Sequence, residues 1–196
     1  LDSALPDEVL VVDPRTDKLL ARVELDLAAY PQHLAISPDG RTVFVGGHGN
    51  NKIYRIDARS FSLGAAIQPR REHNPHGLRL SPDGARLYTA NINSTVTEYD
   101  TATGATLRDF TLPGPGLQLV LGDGALFVTV PAPAMVSRID LGSGVVTSWP
   151  LPADARAPVR WPGSAPPPAR ASRSPSRATS STPASTSCCS TPPPAP

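Results

Sequence analysis

Cysteine is almost missing from this chain. Its 196 residues include two, Cys188 and Cys189, side by side near the C-terminus. Thiolate metal sites space their cysteines, as in C-x-x-C, and a disulfide between chain neighbours is strained. The pair therefore marks no metal site and no redox compartment. Long apolar runs are missing too, so no segment reaches the roughly 20 residues that a spanning helix needs. No signal-peptide pattern is present, but Leu1 falls in mid-repeat, so that absence has no weight against export. Acidic residues stop at Asp154, whereas five of the eighteen basic residues lie beyond it. The region before is mildly acidic, which excludes the basic face that nucleic-acid binding requires. There is no G-x-S-x-G, no P-loop and no dinucleotide fingerprint, and with them go the commonest hydrolase and nucleotide chemistries.

What is present is a repeat. Asp13, Asp57, Asp100 and Asp140 follow one another at intervals of 44, 43 and 40 residues. Each closes an apolar run and opens a polar turn, as in Ile-Tyr-Arg-Ile-Asp57-Ala-Arg-Ser. A second landmark keeps the period: Ser37-Pro38-Asp39-Gly40, then Ser81-Pro82-Asp83-Gly84, then a degraded Leu121-Gly122-Asp123-Gly124. Strand-like runs at this period indicate a β-propeller.

Runs between Gly, Pro, Asn and Asp clusters give four short strands per unit. The first complete unit reads His33 to Ser37, Thr42 to Gly46, Ile53 to Ile56 and Ser62 to Ile67. The second reads Leu78 to Leu80, Arg86 to Ala90, Val96 to Tyr99 and Thr106 to Thr111. The third reads Leu117 to Leu121, Ala125 to Val130, Val136 to Ile139 and Val145 to Trp149. Glu8 to Val12 and Lys18 to Leu25 precede them and match the last two strands of a unit. The expected fold is all-β: about three and a half four-stranded blades over residues 1–153, and a disordered tail over 154–196. The landmarks are turn chemistry. Proline presets one corner of Ser-Pro-Asp-Gly, the aspartate bonds locally to backbone, and Gly40 or Gly84 takes the left-handed position. In Asp-x-x-Thr/Ser the aspartate accepts backbone N–H bonds. Periodic recurrence makes all of these aspartates structural.

The units resemble YVTN-type β-propeller repeats, which are related to lactonase-like propellers and to the propeller of nitrous oxide reductase. The resemblance rests on Asn74-Pro75-His76-Gly77-Leu78, Ser81-Pro82-Asp83-Gly84, Leu87-Tyr88-Thr89-Ala90-Asn91 and Tyr99-Asp100-Thr101-Ala102-Thr103-Gly104. It covers roughly residues 8 to 151. The other units depart from the pattern, with Gly47 and Val130 where the best unit has Asn91. The resemblance implies a seven- or eight-bladed ring in the complete protein, often periplasmic or extracellular. It implies no single activity.

From Pro162 onward the chain uses only Pro, Gly, Ser, Ala, Arg, Thr and Cys. Nothing there can build a core, and a Pro/Ser/Thr linker accounts for it. The genetic code offers another account: every residue from Arg160 to Pro196 can be encoded with G or C at the second codon position. In a GC-rich gene that pattern follows a frameshift between about Asp154 and Arg160.

The histidines are His33, His48, His73 and His76. Aligning Pro31 with Pro75 pairs Gln32 with His76 and His33 with Gly77. His33 and His76 are thus one register apart and expected on opposite faces, which argues against a metal ring. Arg70-Arg71-Glu72-His73 reads as a solvated connection, with a partner contact as the second reading. The binding candidates are His48, Asn50, His76, Asn91 and Asn93, all at strand ends or in loops, where function concentrates. No catalytic residue, metal ligand or cofactor is assigned. The expected function is a binding module with a protein or small-molecule partner, without nucleic acid or a membrane span, and able to self-associate through open blade edges. A lactonase-like hydrolase is the second reading, and a redox accessory propeller the third.

Overall fold

The computed structural model describes residues 6–70 and 72–152. The expected tail and the proposed frameshift lie outside these residues. Thirteen strands and no helix occur among them, so no helix is long and apolar enough to cross a membrane. The protein is all-β, a partial β-propeller. A half blade pairs β1 (Glu8–Asp13) with β2 (Lys18–Glu24). The first blade is β3 (Pro31–Ile36), β4 (Thr42–Gly47) and β5 (Lys52–Asp57). The second is β6 (Pro75–Leu80), β7 (Arg86–Asn91), β8 (Thr95–Asp100) and β9 (Thr106–Thr111). The third is β10 (Leu119–Gly122), β11 (Ala125–Val130), β12 (Met135–Asp140) and β13 (Val146–Pro150). Neighbours within each sheet pair antiparallel.

The four repeat aspartates each end the third strand of a unit, as the period requires. Asp100 Oδ1 accepts from the Ala102 and Thr103 N–H groups at 3.1 and 2.9 Å and from Thr103 Oγ1 at 2.9 Å. Asp57 repeats the pattern with Arg59 and Ser60, and Asp140 with Ser143. Asp13 accepts from the Arg15 N–H and the Thr16 hydroxyl. These bonds favour the ionised carboxylate and lower the pKa of Asp57, Asp100 and Asp140, the last to about 2. Four residues after each aspartate the backbone turns left-handed, at Asp17, Phe61, Gly104 and Gly144. Only two of the units meet that demand with glycine.

The second landmark behaves as its chemistry predicts. Asp39 accepts from Ser37 Oγ and the Arg41 N–H, Asp83 from Ser81 Oγ and the Ala85 N–H. Gly40 and Gly84 sit at φ of 69° and 73°. The degraded third copy keeps a turn by another route. Asp123 and Gly124 alone link β10 to β11, both at positive φ, which is the two-residue hairpin geometry that suits Asp-Gly.

One expected strand is not regular. Ser62 to Ile67 contacts β5 only through two isolated bridges, Ile56 to Leu63 and Ile53 to Ile67. Their spacing differs by one residue between the two segments, so the pairing slips across Gly64-Ala65-Ala66. Glycine and alanine are weak strand formers with little to pack, and they let the ladder break.

Among the described residues three apolar clusters form the core, each where one unit faces the next. Val23, Leu25 and Ala29 of the half blade meet Val45, Tyr54 and Ile56 of the first blade. Phe44, Ile53 and Ile67 meet Leu78, Leu80, Leu87 and Tyr99 of the second. Tyr88, Val96 and Phe110 continue into Leu119, Leu126, Val128 and Ile139 of the third. The alternation of strand side chains supplies both faces.

Candidate functional site

The first strands of successive blades, β3, β6 and β10, neighbour one another along the inner rim of the arc. Pairing of β3 with β4 and of β6 with β7 makes Leu34 equivalent to Leu78, hence Gln32 to His76 and His33 to Gly77. The same reasoning in the third blade makes Leu117 equivalent to His76 and Gln118 to His33. The alignment read from the sequence therefore holds, but its consequence does not. His33 and His76 do not part to opposite faces: their ring centroids lie 5.0 Å apart. Each strand shifts register just where the histidine sits, between Pro31 and Leu34 and between Pro75 and Gly77. A bulge re-aims the side chain beside it.

Glycine makes the approach possible. A Cβ at Gly77 would stand 2.4 Å from the Leu117 carbonyl oxygen, so only glycine lets β6 and the segment entering β10 come this close. Gly77 also leaves no side chain between the equivalent positions on either side. His33 reaches across it and its Nε2 meets the Gln118 amide, two blades away. His48, in the loop after β4, adds its ring edge-on to His76 at 5.8 Å. All three imidazoles are half-buried.

Their tautomers follow from their partners. Nδ1 of His33 lies 2.9 Å from the His76 carbonyl, Nδ1 of His76 3.1 Å from the Leu117 carbonyl, and Nδ1 of His48 3.4 Å from the Asn74 carbonyl. A carbonyl only accepts, so each Nδ1 carries the proton and donates it. Each Nε2 is then an acceptor. The Gln118 amide donates to that of His33, while those of His48 and His76 are the acceptors of the rim. Burial holds the His76 pKa below its usual value; the bond to Leu117 opposes this, and the His33 and His48 rings reinforce it. His76, held toward its neutral form, can thus accept a hydrogen bond from a hydroxyl or amide group. Among the described residues no group of three His, Cys, Asp or Glu side chains is arranged to hold a metal ion.

The other candidates lie elsewhere. Asn91 is fully buried at the end of β7: its amide donates to Thr95 and Thr97 at 3.0 and 2.9 Å, and it accepts from Thr89 at 2.8 Å. It secures the hairpin from β7 to β8. Asn93 is exposed in that hairpin and accepts from Thr95. Asn50 donates to the Tyr54 hydroxyl at 2.6 Å, on the side where Lys52 and Tyr54 also meet Asp26. Of the five, only His48 and His76 come together, and His33 and Gln118 join them.

His73 departs most from expectation. It is not in a solvated loop but 1% exposed, with Nδ1 3.1 Å from the Tyr99 hydroxyl and 3.3 Å from Thr97 Oγ1. Its backbone N–H donates to Asn51, which draws the connection inward. The charges of Arg70 and Glu72 hide this in the sequence, and only the missing partner of a buried Tyr99 hydroxyl could have signalled it.

Many solved structures resemble the described fold, among them the following two. The chain is similar to Kuenenia stuttgartiensis hydrazine synthase, with 22% identity, a TM-score of 0.57 and coverage of 63% of this chain and 36% of the other. It is similar to U3-55K with 13% identity, a TM-score of 0.64 and coverage of 72% of this chain and 45% of the other. Both are propeller-type folds, and the likeness is one of fold. The chain spans less than half the length of each. No protein-family model matches it, and no curated protein does.

Proposed function

We propose that the chain is a non-catalytic binding module of an exported protein, built from YVTN-type propeller repeats. Its binding end is the inner rim at His48, His76, His33 and Gln118. One observation carries this reading: the rim gathers imidazoles from two blades and an amide from a third, with each Nδ1 tied to a backbone carbonyl. Such tethering fixes the rings and turns the Nε2 acceptors of His48 and His76 toward a ligand that carries hydrogen-bond donors. A protein segment or a polyhydroxylated small molecule has that chemistry. Periplasmic or extracellular placement goes with the repeat type.

A lactonase-like hydrolase is the second reading, because neutral imidazoles are competent general bases. The two readings separate in one experiment. Hydrolysis of a panel of aliphatic lactones is followed by proton release, with the parent chain and with His76→Ala. The binding module gives no turnover in either. Turnover that His76→Ala abolishes would establish the hydrolase instead.

A further inference from the structure

The tip of the hairpin from β7 to β8 carries chemistry that the rim does not use. The chain contains five asparagines, and one of them, Asn93, has a hydroxyl residue two places on: Asn93-Ser94-Thr95. Asn-x-Ser/Thr with no proline at x is the acceptor tripeptide for N-linked sugar, and it calls for a surface loop. A tripeptide this short also arises by chance, so its geometry has to decide.

The backbone on each side of the tip is fixed. Asn91 pairs with Thr95 across the hairpin, the Ile92 N–H donates to the His73 carbonyl at 3.2 Å, and the Ser94 carbonyl accepts from the Leu112 N–H at 2.9 Å. Ser94 turns left-handed at φ of 64°, which folds the tripeptide back on itself. Asn93 projects from this frame and is exposed, while Asn91, Ile92, Ser94 and Thr95 are buried or half-buried. Side-chain bonding sets the direction of its amide. The Thr95 hydroxyl has one proton. It accepts from the Asn91 amide at 3.0 Å and gives its own proton to Asn93 Oδ1 at 2.7 Å. The carbonyl side of the Asn93 amide is held inward by this bond, which leaves Nδ2 at the exposed edge of the tip. The other asparagines differ. Asn50 bonds the Tyr54 hydroxyl, Asn51 the N–H groups of His73 and Asn74, and Asn91 three threonines. Asn74 is followed by a proline.

We propose that Asn93 is an N-glycosylation site, which takes an oligosaccharide from a lipid-pyrophosphate donor through its Nδ2. Nδ2 bonds to C1 of the first sugar as the C1–O bond to the pyrophosphate breaks. The lipid pyrophosphate leaves with that electron pair, and an Nδ2 proton passes to a carboxylate of the transferase. Thr95 is a positioning residue: its hydroxyl presents the amide, so serine serves in its place and alanine does not. A bulky polar group on Asn93 meets solvent rather than a neighbouring blade, so the fold accepts it. Asn91 pairs with Pro75, next to His76, and the sugar therefore stands at the end of the blade that carries the rim. Modification in the cell rests on the export in the reading above, whereas the acceptor chemistry of the hairpin does not.

The test incubates the folded 196-residue chain with a single-subunit oligosaccharyltransferase of Asn-x-Ser/Thr specificity and a lipid-pyrophosphate-linked oligosaccharide, and reads intact mass. A free peptide of residues 89–97 reports that the enzyme is active. The expected result is one oligosaccharide per chain. Peptide N-glycosidase locates it, because release of the sugar leaves aspartate at position 93. Asn93→Gln and Thr95→Ala abolish the gain in mass, Thr95→Ser retains it, and circular dichroism verifies that the strands persist in each. Thr95→Ala also takes a partner from Asn91, so Asn91→Ala is its control and keeps the sugar. A parent chain that stays unmodified while the peptide reacts overturns the proposal. So does sugar that persists in Asn93→Gln. A chain that proves not to be exported would leave these results unchanged, which separates the failure of that reading from the failure of this one.

Discussion

Replacing Gly77 by alanine isolates the close approach that brings the rim together. Gly77 has no positive φ, so alanine suits its backbone and by itself would stabilise the strand by about 0.5–1 kcal/mol. Space decides otherwise. The new Cβ would stand 2.4 Å from the Leu117 oxygen, 3.2 Å from the Gln118 Cα and 3.3 Å from the Leu117 carbonyl carbon. All three are backbone atoms and cannot rotate away. The third blade's entry must retreat by roughly an ångström, at the cost of about 1–3 kcal/mol typical of overpacking. The retreat also breaks the bond from His76 to Leu117, worth about 0.5–1.5 kcal/mol. The net loss is about 1–3 kcal/mol, or about 1 M in the urea midpoint. Gly46→Ala should cost less, because its nearest obstacle at 2.7 Å is the Leu78 Cδ1 methyl, which can move. Gly122→Ala meets nothing within 4 Å and should change little. Urea unfolding followed by circular dichroism measures all three, and nitrogen-15 shifts of the imidazoles report whether His76 keeps its Nδ1 proton. If Gly77→Ala unfolds at the same urea concentration as the parent, with unchanged shifts, the close-packed rim is refuted.

Asn91→Ala should cost about 1–3 kcal/mol, because Thr89, Thr95 and Thr97 lose a buried partner; a shift within 0.5 kcal/mol, on the scale of ordinary surface changes, would contradict that role. Gly104→Ala should cost about 1–2 kcal/mol, since an L-residue would have to adopt φ of 74°. Thermal unfolding checks it against the same change at Gly122, where φ is not positive. Stability should fall in two steps on acidification. His76 has a lowered folded pKa, so its contribution is complete above the usual 6.5 and is lost as pH falls below that. Asp140, held at about 2 against an ordinary 3.8, contributes fully above 3.8 and loses its contribution as pH falls toward 2. Urea midpoints between pH 8 and pH 2 test both steps, and His76→Phe should remove the upper one alone.

The sequence by itself determined the parts of this protein that are local. Each repeat aspartate meets its partners within three residues along the chain, and each Asp-Gly turn closes on itself, so spacing was enough to locate third strands and turns. Local chemistry also marked the weak point at Gly64-Ala65-Ala66, although the reading extended a strand through it. The rim was decided by tertiary structure alone. His33 and His76 lie 43 residues apart, and a one-residue register offset should part them. They meet because bulges re-aim both strands and because Gly77 lets a third backbone approach. His73 was hidden in the same way: its neighbours are charged, and its burial depends on Tyr99 and Thr97, which reach it only when the second blade folds. Turns are set by atoms a few bonds apart, whereas the rim is set by how closely three backbones can pack, and no single stretch of sequence carries that distance.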